Sequence, residues 1–170
     1  MRMKDKCDPP TFNAAAGPGT CVGDGNITFA QFIRELTSAK RAGAWHFDPA
    51  AGTVDEGTVL ALENRGGETH TFTKVENFGC GFVAPLNELS GNPVPAPECA
   101  TATLGGLVPK PAGPGNIFVG AGTTEVGPTA RGHDSAKWGN YQVPVLYSSL
   151  DAGGTKNAVD LCGTGVLSRL

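Results

Sequence analysis

The clearest periodic signal along the chain is helical and short. Phe29, Phe32, Ile33 and Leu36 fall three and four positions apart and make one apolar stripe, while Arg34, Glu35, Lys40 and Arg41 take the polar positions. Thr28 with Gln31 three residues on has the form of a capping box, and Ile27 can staple against Phe32. Gly43 supplies the stop. The 27 residues before this helix are punctuated by Pro9-Pro10 and Gly17-Pro18-Gly19 and read as irregular.

From Trp45 onward the period falls to two. Trp45-His46-Phe47 alternates apolar, polar, apolar. Asp55-Glu56-Gly57 makes a turn before residues 58–63, a run suited to a buried strand, and Arg65-Gly66-Gly67-Glu68 is the next turn. Residues 69–75 are β-branched and alternating, which puts His70, Phe72 and Lys74 on one face. Residues 77–115 are rich in Gly, Pro and Asn, with Pro93, Pro95 and Pro97 at alternate positions, and read as a long excursion rather than a sheet. Strands resume at 116–119 and 123–126. The pattern predicts a mainly β protein with one short N-terminal helix and a long Gly/Pro-rich loop insertion. Residues 1–43 form an irregular segment plus that helix, and residues 44–130 form the β domain.

Composition narrows the class. Charged residues are 17% of 170, below the quarter or so usual in soluble domains, and Gly 25 with Pro 13 favours loops over helices. A net charge of -3 leaves no electrostatic footprint for nucleic acid, and no apolar run reaches membrane-spanning length. Five cysteines, an odd number, stand beside few charges, and together these features point to the periplasm or the extracellular space. The first residues carry the basic character of a signal peptide but no apolar stretch behind it. Adjacency pairs Cys7 with Cys21 and Cys80 with Cys99 and leaves Cys162 over, although other connectivities stay open. Ser148 and Ser149 lack a Gly-x-Ser-x-Gly elbow, the glutamates show no paired-carboxylate pattern, and no phosphate loop is present, so the chain reads as non-enzymatic.

Of the three histidines, His46, His70 and His133, only His70 has a distinctive setting. It ends the string Gly57-Thr58-Val59-x-x-x-x-Asn64-Arg65-Gly66-Gly67-Glu68-Thr69-His70-Thr71-Phe72, with Trp45-His46-Phe47-Asp48-Pro49 upstream. Over residues 44–76 this resembles the cupredoxins, small β-sandwich copper proteins in which a strand ending near an Asn leads through a turn to the first copper-binding His. The resemblance implies a Greek-key β-sandwich and copper held by His70, with a Cys thiolate, a second imidazole and a weak axial Met completing the site. It implies electron transfer or copper holding outside the cytoplasm, with a redox partner protein. His46, on an aromatic strand, is expected to be structural.

The remaining ligands should lie in a Cys-x-x-His-x-x-Met loop near the C-terminus, yet residues 141–155 contain no Cys, His or Met. Permitted codons for residues 145–155, read one base over, spell Cys-Cys-Ile-His-Pro-Trp-Met-Arg-Ala-Val, which contains that loop in full. The expectation is therefore a frameshift between about residues 127 and 140, with residues 131–170 an out-of-frame tail that holds His133 and Cys162. Cys80, flanked by glycines, is a disulfide candidate before it is a substitute thiolate ligand. The alternative to a copper site is a metal-free cupredoxin-fold module for binding or structural packing, using the Pro-rich loop as its contact surface.

Overall fold

Asp8 followed by Pro9-Pro10 starts a helix where the sequence pattern suggested irregular chain. A computed structural model describes residues 1–49, 59–73, 81–91, 93–113 and 115–126, and the strand backbone at 52–54, 74–75, 136–138 and 158–160. Helix α1 (Pro9–Ala16) opens with the Asp8 carboxylate accepting from Thr11 N at 3.1 Å, and its prolines occupy first-turn positions whose N–H groups have no helical acceptor. Strand β1 (Arg2–Lys4) precedes it. The first 27 residues are thus partly regular, contrary to the sequence reading.

Helix α2 (Phe29–Ala39) is the helix that the apolar stripe predicts. The Thr28 side chain accepts from Gln31 N while the Gln31 side chain accepts from Thr28 N, closing the capping box from both sides. Phe32 and Leu36 are buried and Ile27 packs half-buried against the same cluster. The stop comes earlier than Gly43: Lys40 takes the left-handed conformation (φ 59°) and its N–H bonds to Leu36 O. Four rings join these helices to the strand that follows. The ring centroids of Phe12 lie 5.3 Å from Phe29, 5.6 Å from Phe32 and 5.6 Å from Trp45, and those of Phe32 and Trp45 are 4.7 Å apart.

Strands β2 (His46–Asp48), β3 (Gly52–Val54), β4 (Ala61–Asn64) and β5 (His70–Val75) follow in turn. Val59 is exposed and β4 starts at Ala61, three residues later than the apolar run suggested. A third helix, α3 (Ala84–Ser90), and a hairpin of β6 (Ala100–Thr103) and β7 (Gly106–Pro109) occupy the segment read as loop. β8 (Asn116–Val119) and β9 (Thr124–Val126) fall where strands were expected. Among the described residues, three short helices accompany a β-rich chain, and the single-helix expectation is corrected accordingly. The fragments β10 (Ala136–Trp138) and β11 (Ala158–Asp160) complete the strands.

One sheet has the order β2-β1-β4-β9 and another β3-β10-β11-β5-β8, with the β6-β7 hairpin apart. Both larger sheets are mixed. β1 runs parallel to β4 and β10 parallel to β11, and the other pairs are antiparallel. Between the two larger sheets the chain crosses from β2 to β3, from β3 to β4, from β4 to β5, from β8 to β9 and from β9 to β10. On β1 the alternation is clean: Met3 is buried, while Arg2 and Lys4 point outward to Asp48 and Glu63 on the flanking strands. These ion pairs lie at the surface, where solvent screening leaves them little net contribution. Truncating one fully buried Phe such as Phe12 costs about 3–5 kcal/mol, so the inner face dominates.

The residues 20–27 segment lies directly on the Gly66-Gly67 turn. A Cβ added at Gly67 would meet Gly23 N at 2.6 Å and Cys7 Sγ at 2.7 Å, whereas one added at Gly113 would meet nothing within 4 Å. Gly67→Ala is expected to lower the unfolding free energy by about 1–3 kcal/mol or more. Gly113→Ala should stay within about 0.5 kcal/mol of the parent. Urea denaturation of the two variants checks this, and equal stabilities would refute the close approach.

Candidate functional site

His70 opens β5 and stands inside a polar network with almost no solvent contact. Its Nε2 lies 2.8 Å from Asp5 Oδ2, with both side chains 1% exposed. Asp5 follows directly on β1, so strand pairing brings together residues 65 positions apart. The Asp5 carboxylate takes donors on both oxygens. Oδ1 accepts from Cys7 N at 3.2 Å and Gly67 N at 2.9 Å, and Oδ2 accepts from Glu68 N at 3.1 Å as well as from His70. A carboxylate offers about four acceptor places, and here all are used. An ionised carboxylate can only accept, so the His70 Nε2 is the donor, and in the neutral ring Nδ1 then carries the lone pair. That Nδ1 is buried and has no hydrogen-bond partner among the described residues.

Burial by itself pushes the Asp5 carboxyl up. The hydrogen bond from His70 and those from the backbone N–H groups of Gly67 and Glu68 act against it, and Asp5 stays below the usual carboxylate range. Glu68 behaves oppositely. Its fully buried side chain is pushed up to about 8, first by desolvation and then by the negative charge of Asp5, although the Trp45 indole N–H donates to its Oε2 at 2.5 Å. Glu68 therefore holds a proton at neutral pH and Asp5 does not.

The turn that presents these groups is built by Asn64 at the end of β4. Its Oδ1 accepts from Gly66 N at 2.8 Å, and its Nδ2 donates to Glu68 O at 2.7 Å and Val119 O at 2.9 Å. The Asn of the sequence motif thus closes the turn and ties it to β8. Glycine is required at 66, because a Cβ there would collide with the Asp5 carboxylate. On β5 the register sets His70 opposite Val119 and Phe72 opposite Ile117. Both faces of the strand are buried from His70 to Thr73, so the alternation seen in sequence separates two buried faces.

His46 is half-buried with Nδ1 3.2 Å from Gly43 O, in keeping with a structural role. Cys7 and Cys21 form a disulfide, the pairing that adjacency suggested. Cys99 is also disulfide-bonded; its expected partner Cys80 lies outside the described residues, as do His133, Cys162 and residues 141–155. No family model, curated protein or solved structure matches the chain. Among the described residues no group of three or more His, Cys, Asp or Glu side chains is arranged to hold a metal. Asp5, Glu68 and Trp45 are the members of this site that sequence reasoning did not single out. Asp5 sits in Lys4-Asp5-Lys6, which reads as solvated charge, and Glu68 sits in a Gly-rich turn.

The two carboxyls set opposite pH limits. The folded pKa of Glu68 is raised, so the native state holds more protons than the unfolded chain between about 4.5 and about 8, and stability falls as pH rises through that window. Each unit of difference is worth about 1.4 kcal/mol. The folded pKa of Asp5 is lowered, so its contribution is present above its unfolded value of 3.8 and is lost as pH falls through the folded one. Glu68→Gln should remove the decline between pH 5 and 8 and keep the acid-side loss. Chemical denaturation of both proteins across pH tests this, and parallel curves for the two would show that Glu68 ionises normally.

Proposed function

We propose that the chain is a cupredoxin-like copper-binding protein on a Greek-key β-sandwich, serving electron transfer or copper holding outside the cytoplasm, with His70 as the copper ligand present in this reading frame. The observation that carries the proposal is the His70 ring. One nitrogen is anchored on a buried carboxylate and the other is left without a partner. Metal-binding histidines characteristically donate their second ring N–H to a carboxylate or carbonyl, which fixes ring orientation and raises basicity. A buried lone pair without such a purpose would cost free energy.

The fold supports the same reading. Two mixed sheets exchange the chain repeatedly, as a sandwich with Greek-key connections does. The Cys7–Cys21 disulfide suits an oxidising compartment. Copper, when bound, would supply a one-electron couple in a site with soft thiolate and imidazole donors. The chain's own residues hold and orient the first imidazole and keep water from it.

The gene and a titration test this reading. The codons for residues 145–154 should spell the loop when read one base over. A frame-restored chain should bind one copper and show an intense visible thiolate-to-copper band that His70→Ala abolishes, whereas the chain as it stands should show none. A folded, frame-restored chain that binds no copper would leave the metal-free binding module as the function, and a strong band from the present chain would overturn the assignment of its missing ligands.

A further inference from the structure

The Asp5 carboxylate does more than anchor a ring. We infer that Asp5 is a positioning residue that selects the tautomer of His70, holding the proton on Nε2 so that the Nδ1 lone pair stays available to a metal. The assignment to a metal rests on the copper reading above, whereas the tautomer does not. Three of the donors that reach Asp5 are backbone N–H groups, from Cys7, Gly67 and Glu68, and a backbone N–H cannot exchange its role for that of an acceptor. The acceptor character of both Asp5 oxygens is therefore imposed by the fold. The imidazole is the one neighbour of Asp5 whose proton can move between two atoms, and it must place that proton on Nε2, 2.8 Å from Oδ2. Glu68 and Trp45 leave this unchanged, since their mutual hydrogen bond runs from the indole to the Glu68 carboxyl and neither bonds the ring.

Asp5→Asn inverts the logic. The amide has one accepting atom and one donating atom. With its oxygen in the Oδ1 place it keeps the bonds from Cys7 N and Gly67 N, and the NH2 then faces one backbone N–H, that of Glu68, together with the ring. The reverse orientation sets the NH2 against two backbone N–H groups and is the worse of the two. In the favoured orientation the ring can satisfy the NH2 only by accepting at Nε2, so its proton moves to Nδ1 and the lone pair available to a metal is lost.

Nitrogen-15 NMR of the metal-free full-length chain reads the tautomer directly. The expected spectrum has His70 protonated at Nε2 in the parent and at Nδ1 in Asp5→Asn, with far-UV circular dichroism unchanged. A parent ring protonated at Nδ1, or at both nitrogens near neutral pH, overturns the inference, as does a folded Asp5→Asn variant that keeps the proton on Nε2; should that variant not fold, the parent spectrum decides alone. In the frame-restored chain, Asp5→Asn should weaken Cu(II) binding about 10–100-fold. Equal affinities would refute the metal-positioning role. If the frame-restored chain binds no copper while the tautomer shifts as expected, the copper reading fails and the tautomer control stands.

Discussion

A single buried carboxylate organises this protein. Asp5 leaves water altogether, a loss of solvation costing several kcal/mol for an isolated ion, and four donors from three separate segments offset it. The chain just after β1, the turn between β4 and β5, and the first residue of β5 must all be in place before the charge is compensated. An arrangement with one donor missing would be strongly destabilised, so the network selects one register of β1 between β2 and β4. The apolar contacts of Met3 alone would specify that register less sharply.

The charge on Asp5 also decides the state of its neighbour. Two carboxyls sharing a low-dielectric site do not both ionise, and the one with backbone donors and an imidazole takes the charge. Glu68 has one indole N–H and remains protonated. Through that indole the polar network meets the aromatic cluster, where Trp45 packs on Phe12 and Phe32. The helical layer and the polar centre are therefore one cooperative unit. The Cys7–Cys21 disulfide and the approach of Gly23 to Gly67 brace it from the side of the N-terminal segment. His70 thus has a rigid mount: the ring is fixed by a carboxylate that is itself fixed by backbone groups, and packed side chains seal it from water.

What was legible in the sequence follows from the range of the interactions involved. Helix α2 could be read because its stripe and its cap are contacts three and four residues apart, and both work as predicted. β8 and β9, and the turn at 65–68, were legible from alternation and glycine placement. The missed elements carry weak or misleading local signals. β1 is three residues with two outward-facing charges, α1 begins with two prolines, and α3 hides in a Pro-rich stretch where Pro85 is tolerated in a first turn. His70 stood out by its motif, and Asn64 within that motif proves to be the residue that closes the turn.

By itself, then, the sequence determined the β-rich class, the helix at 29–39, the glycine-framed turn and the histidine that ends it, because each is written in spacings of a few residues. Only the tertiary structure decided that Asp5, 65 positions before His70, is its partner, that Glu68 is neutral and Asp5 charged, and which ring nitrogen is left free. Those properties depend on desolvation and on the direction in which fixed backbone N–H groups point, and neither exists until β1 has been set between β2 and β4.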